Sequence, residues 1–103
     1  MHPVVYNVTI KIEKAIAEEW LQWLIKEHAP QVIATGCFTN FTVLKILEHD
    51  DEEGPTYAIQ YFSENMERYH HYINKFANQF RKEFMDKWGN KFVAFRTVMQ
   101  VVN

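Results

Sequence analysis

Residues 4–12 read VVYNVTIKI, and this stretch decides how the rest of the chain is interpreted. Its even positions, from Val4 to Ile12, are all apolar, whereas Asn7 and Thr9 between them are polar. Alternation with a period of two residues is typical of a strand with one dry face. The pattern therefore predicts a first strand over residues 4–12.

The segment after this strand changes to the period of a helix. From Lys14 to His28 the apolar residues recur every three or four positions, with charged residues on the opposite side. Pro30 is expected to interrupt this helix, because proline cannot continue the hydrogen-bond ladder. One further turn is predicted over residues 31–35 before Gly36 releases the chain.

A second amphipathic helix is predicted between Ser63 and Trp88. Ser63 is a suitable N-cap, and Gly89 is expected to end the helix. Its apolar stripe includes Met66, Tyr69, His70, Ile73, Phe76, Ala77, Phe80 and Phe84.

Three more strands complete the pattern, over residues 37–48, 56–62 and 92–102. An acidic turn containing Gly54 and Pro55 joins the first two of these as a hairpin. The resulting order is β-α-β-β-α-β. It predicts an α+β, ferredoxin-like fold, in which two helices cover one face of a four-stranded antiparallel sheet.

The uncovered face of this sheet is expected to carry Asn7, Thr9, Phe92, Arg96 and Gln100, together with one apolar face of the second strand and a few side chains of the third. Such a surface is too apolar to remain in water, because monomers rarely expose contiguous apolar patches above roughly a few hundred Å². A second copy of the sheet is the simplest cover. We therefore expect a homodimer formed through the sheet.

Composition limits the class of protein further. The 103 residues predict one domain, residues 1–103, and the 48% hydrophobic content predicts that it folds. A formal charge of −2 without a basic cluster argues against nucleic acid and anionic membranes as partners. With one cysteine, Cys37, and no signal-peptide or membrane-spanning pattern, we expect a cytoplasmic protein.

Several stretches also resemble a family of short bacterial proteins known only as a domain of unknown function. They are EWLQWL at residues 19–24, HAPQVIATGCF at 28–38, TYAIQYF at 56–62 and GNKFVAFRT at 89–97. By element order the chain is similar to the wider group of dimeric α+β barrels, which includes cofactor-independent monooxygenases, lactone isomerases and haem-degrading enzymes. The resemblance implies that two sheets meet in the dimer and that small ligands sit between a sheet and its own helices.

His28 is the first candidate for a ligand-binding residue. It is predicted at the end of the first helix, where the helix dipole favours a charged imidazole. We favour a capping role there over a role as general base, because the sequence identifies no partner for proton transfer.

Arg96 is the second candidate, because a guanidinium on an apolar strand face is costly unless something pairs with it. We favour a partner in the dimer interface, and the alternative is a ligand carboxylate held bidentately. Asn7 is expected to join either network. Tyr61 is the fourth candidate, as a tyrosine beside a ligand cavity.

No metal and no cofactor are expected, because the histidine spacing fits no ligand motif. His70 and His71, for example, are adjacent and diverge on a helix. Tyr57 and Tyr61 on one strand face resemble the stacking pair of an RNA-binding sheet, but the basic residues of such a sheet are missing. We expect a dimeric small-molecule-binding protein or a cofactor-independent oxygenase or isomerase. The alternative is a non-enzymatic homodimeric interaction module.

Overall fold

A computed structural model describes residues 2–103 and contains the predicted sheet. Its strands are β1 (Val4–Ile12), β2 (Asn40–Lys45), β3 (Thr56–Ser63) and β4 (Phe92–Gln100). They are hydrogen-bonded in the order β2-β3-β1-β4, and all three pairings are antiparallel. The helices pack against one face of this sheet, so the ferredoxin-like α+β prediction is confirmed.

The first helical segment is more continuous than predicted. A 3-10 turn (Lys14–Ile16) leads into α1 (Ala17–Trp23), a π turn (Leu24–His28) and α2 (Ala29–Ala34). The predicted interruption at Pro30 is wrong. In the widened turn the N–H of Ala29 donates to the carbonyl of Leu24, five residues back. Pro30 then lies in the first turn of α2, where a missing N–H costs little.

The start of the second helical segment also differs from the prediction. Ser63 is the last residue of β3, and its hydroxyl donates to the carbonyl of Cys37 at 3.0 Å. The N-cap is Asn65, whose side chain accepts a hydrogen bond from the backbone N–H of Arg68 at 2.9 Å. Helix α3 (Met66–Lys75) follows directly.

The second segment is divided into two helices rather than one. The backbone leaves helical geometry at Phe76, with φ −124°, and α4 (Ala77–Trp88) begins after it. Helix α4 ends at Gly89 as predicted, and the φ of +62° there is easily adopted only by glycine. Tyr72 on α3 is buried in the core, although the predicted stripe omitted it.

Strand β2 is shorter than the predicted 37–48: it begins at Asn40, after the buried Cys37 and Phe38, and ends at Lys45. The loop that follows β2 packs tightly against the end of β1. A Cβ on Gly54 would lie 1.8 Å from the carbonyl oxygen of Ile12, so only glycine fits there.

The register of β4 determines which of its side chains face the helices. Val8 lies opposite Arg96, and Ile10 lies opposite Ala94. Residues directly opposite in an antiparallel pair share a face, and the even positions of β1 pack into the core. Arg96 therefore faces the helices, as do Phe92 and Gln100. Their predicted position on the uncovered face is wrong.

The uncovered face carries the alternate residues of each strand. Asn7 and Thr9 lie there as predicted, and the side-chain amide of Asn7 donates to the Thr9 hydroxyl at 2.9 Å. The residues of β4 that share this face are Val93, Phe95, Thr97 and Met99. Val93 is 69% exposed and Phe95 61% exposed, so this face presents apolar side chains to solvent.

Candidate functional site

A cavity of about 310 Å³ lies between the helix-facing side of the sheet and the helices. Residues of β1, α4 and β4 line it, and most of β4 is exposed. Its walls are mostly aliphatic and aromatic: Val8, Ile10, Leu24, Ile59, Phe80, Phe84, Met85, Phe92 and Ala94. Its polar side chains are Tyr6, His28, Tyr61, Tyr72, Arg81 and Arg96.

His28 is held in the cavity wall by aromatic rings. Its imidazole stacks on Trp23 with the ring centroids 4.8 Å apart. The rings of Phe84 and Phe80 meet it in T-shaped contacts, with centroid distances of 5.5 and 5.8 Å. The helical chain continues through α2, so the predicted role in capping the last carbonyls is wrong. The predicted charge is also wrong. Burial lowers the pKa of His28 to about 4, which keeps the imidazole neutral at pH 7.

The π turn Leu24–His28 gives the local reason for this placement. Leu24 and His28, at the two ends of this turn, are both buried and both line the cavity. Such bulges inside helices are often found at functional sites. Sequence periodicity of 3.6 residues does not report them.

Three tyrosines form the second polar part of the wall. The centroids of Tyr6 and Tyr61 are 6.1 Å apart, and those of Tyr6 and Tyr72 are 5.9 Å apart. Burial raises the pKa of the Tyr61 and Tyr72 hydroxyls, and the neighbouring phenols raise it further. These groups therefore stay protonated at neutral pH and can act as hydrogen-bond donors.

Arg81 and Arg96 supply the positive charge of the cavity. Arg81 lies on α4, and its Nη2 donates to the Tyr6 hydroxyl at 3.3 Å. Its Nε is buried and has no hydrogen-bond partner among residues 2–103. Arg96 reaches the same cavity from β4 and remains exposed to solvent.

The cavity brings together His28, Tyr61 and Arg96 of the four residues expected to bind a ligand. Asn7 lies outside it, because odd positions of β1 point to the opposite face of the sheet. Sequence reasoning did not select Arg81. The available signal was its spacing, since Arg81 lies four residues after Ala77 and three before Phe84 on the buried stripe of α4.

Tyr57 and Tyr61, which resemble the stacking pair of an RNA-binding sheet, are not presented on the open face. Tyr61 is buried in the core, and the ring of Tyr57 packs on Trp20 with centroids 5.5 Å apart. Within residues 2–103, no three His, Cys, Asp or Glu side chains are grouped closely enough to hold a metal ion. The same residues form no helix long and apolar enough to span a bilayer.

Solved structures with the same architecture define the class of protein. A dimeric ferredoxin-like protein from an uncultured marine organism has a TM-score of 0.77 at 12% identity, over 100% of this chain and 98% of its own. A conserved protein of unknown function from Bacteroides thetaiotaomicron, described as a possible oxidoreductase, has a TM-score of 0.69 at 11% identity, over 97% of this chain and 98% of its own.

A third similar structure is an ethyl tert-butyl ether d (ethd) family protein from Bacillus halodurans. Its TM-score is 0.63 at 12% identity, and the match covers 97% of this chain and 98% of that one. At such identities the three similarities establish the fold alone. The fold and the cavity thus define a ferredoxin-like α+β protein with a ligand-sized space between its sheet and helices.

The chain belongs to the family described as a domain of unknown function (DUF4286), whose model matches residues 3–102. The resemblance inferred from the sequence is therefore confirmed. No curated protein matches the chain by sequence.

Proposed function

We propose that this protein is a homodimer that binds a small, largely apolar molecule between its sheet and its helices. The observation that supports this most is the cavity of about 310 Å³. Its volume lies at the lower end of the roughly 300–1,000 Å³ typical of small-molecule sites. Its composition also fits, because apolar walls surround a few converging polar groups.

The state of His28 favours binding over proton transfer. A general base works best when its pKa lies near the working pH, and burial holds the pKa of His28 at about 4. A neutral imidazole stacked on Trp23 is suited instead to accept or donate one hydrogen bond to a ligand. We therefore place ligand binding ahead of a cofactor-independent oxygenase or isomerase activity.

The proposed dimer forms through the uncovered face of the sheet. Val93, Phe95 and Met99 on β4 and Leu44 on β2 expose apolar surface on this face. The description of a similarly folded marine protein as dimeric supports a dimer here, and the exposed apolar side chains support this face. Arg96 lies on the other face of β4, so the dimer does not need it as an interface residue.

A cavity-filling substitution tests the proposed function. Ala94 lines the cavity, so Ala94→Phe places a ring in the space that a ligand would occupy. Saturation-transfer NMR with a panel of small aromatic and alkyl molecules should detect binding to the wild type and not to Ala94→Phe. Ala34→Phe is the matched control, because Ala34 is exposed on α2 away from the cavity.

Two results would contradict the proposal. One is binding that persists in a folded Ala94→Phe protein, which would place the ligand elsewhere. The other is the absence of binding by any panel member to the wild type. The second result would favour the alternative, a non-enzymatic homodimeric interaction module, which needs only the exposed apolar face around Phe95.

A cytoplasmic location is part of the proposal and is based on the lone Cys37.

A further inference from the structure

Two arginines face the cavity without a carboxylate in its walls. The ion pairs of residues 2–103 are Lys11 with Glu53, Lys45 with Asp51, and Lys82 with Asp86, and none includes Arg81 or Arg96. No residue that lines the cavity is an Asp or a Glu. The positive charge of this space is therefore not balanced by the residues around it.

The environment of Arg81 indicates a missing partner. Its Nη2 has the Tyr6 hydroxyl as an acceptor, but its Nε is shielded from solvent and donates to nothing in residues 2–103. A buried donor without an acceptor is unfavourable, because it has lost water and gained no bond. An acceptor that enters the cavity beside Arg81 removes this cost once the guanidinium turns its Nε toward the ligand.

Arg81 and Arg96 both lower the pKa of the same two tyrosines, Tyr69 and Tyr72. Burial raises the pKa of Tyr72, and the charges of Arg81 and Arg96 both pull that pKa in the opposite direction. The pKa of Tyr69 responds to burial and to the two arginines in the same way. Arg81 on α4 and Arg96 on β4 both line the cavity, so both guanidiniums are available to one ligand bound there.

We propose that the ligand carries a carboxylate, which Arg81 and Arg96 bind together while its apolar body occupies the space lined by Ile59, Phe80 and Phe84. This rests on the proposed function and specifies its ligand class. Two guanidiniums match a carboxylate because their planar forks donate parallel hydrogen bonds to its two oxygens. The mostly apolar remainder of the cavity excludes a ligand with many charges.

Matched acids and amides test this assignment. The probes are benzoate with benzamide and 3-phenylpropionate with 3-phenylpropanamide, titrated into the wild-type protein by NMR or calorimetry. Each acid should bind at least about tenfold more tightly than its amide, which corresponds to about 1.4 kcal/mol. The acid preference should also decrease as salt is added, because part of it is electrostatic.

Substitutions test whether Arg81 and Arg96 cause the preference for acids over amides. Arg81→Met and Arg96→Met should each reduce acid binding about tenfold or more and leave amide binding nearly unchanged. Arg96→Lys keeps the charge and loses the fork, so its acid affinity should lie between those of the wild type and Arg96→Met. Arg68→Met is the control, because Arg68 is exposed on α3 and does not line the cavity. Arg96 is itself exposed, so its variants should fold even if Arg81→Met does not.

The outcomes separate this inference from the proposed function. If each amide binds as tightly as its acid and Ala94→Phe abolishes both, the cavity binds ligands but the carboxylate assignment is wrong. An acid preference that survives both Arg96→Met and Arg81→Met would also overturn it. If neither acids nor amides bind to the wild type, both the assignment and the proposed function fail.

Discussion

His28 couples protonation to folding, because its imidazole is buried among aromatic rings and has no charged partner beside it. Its pKa is about 4 in the folded protein and 6.5 in the unfolded chain. Between these pH values the unfolded chain binds more protons than the folded protein does. The free energy of unfolding therefore falls as the pH is lowered from 6.5 to 4, by about 3 kcal/mol in total from this group.

Urea unfolding of the wild type and of His28→Phe at pH 4, 5, 6 and 7 measures this contribution. Phe keeps the stacking on Trp23 and removes the titration, so the wild type should lose stability relative to the variant as the pH falls. His49→Phe, in the exposed loop after β2, should follow the wild type. Equal pH dependence in the wild type and His28→Phe would show that His28 is not desolvated.

The sequence predicted which face each side chain of β1 occupies, but not the face of Arg96 on β4. Alternation in residues 4–12 correctly assigned the faces of β1, because one set of positions is apolar and the other is largely polar. Strand β4 is apolar on both faces, so the pattern could not decide which way Arg96 points. The register with β1 decided it, and pairing between residues so distant in the chain is not visible in one sequence.

Phe80 is a buried residue of α4 whose ring packs against His28 and Tyr72. Its ring stacks near Tyr72, with centroids 6.2 Å apart, and it is 9% exposed. Phe80→Ala should lower the free energy of unfolding by about 3–5 kcal/mol, because the loss of ring burial adds to the enlarged cavity. Chemical denaturation measures the change.

Met85→Ala on the same helix is the matched control. Met85 is 53% exposed, so its truncation should cost about 1 kcal/mol or less. A midpoint unchanged by Phe80→Ala would mean that α4 presents a different face to the sheet.

The positions of the helices were easier to predict than their ends. Gly89 ended α4 as expected, because its positive φ is accessible to glycine at little cost. Pro30 did not end the first segment, because it lies in the first turn of α2, where its missing N–H costs little. Helix α2 also buries Ala29 and Val32. Tertiary burial of this kind outweighs a local helix-breaking signal.

At the scale of the whole molecule, the uncovered sheet face predicts association. Light scattering at micromolar concentration should give about twice the monomer mass of 12.4 kDa. Phe95→Glu should shift the protein to the monomer, because it places a charge in the centre of the apolar face. Ile25→Glu changes a similarly apolar, 40% exposed residue on the helical side and should leave the dimer intact. A wild-type mass near 12.4 kDa would contradict the proposed dimer.

The order of elements was predictable for the whole chain, whereas the cavity was not. Hydrophobic period reports which faces are buried, and the resemblance to the family points to the same fold. The cavity depends on how residues of β1, α4 and β4 come together around it. That packing joins segments distant in the chain, so Arg81 became a candidate only in three dimensions.

A crystal structure of the protein with 3-phenylpropionate tests most directly whether the cavity binds a carboxylate ligand. We predict the phenyl ring in the cavity against Phe84, with the carboxylate oxygens about 2.7–2.9 Å from the guanidinium nitrogens of Arg81 and Arg96. Ligand bound on the uncovered sheet face beside Phe95, with the cavity empty, would contradict this binding site.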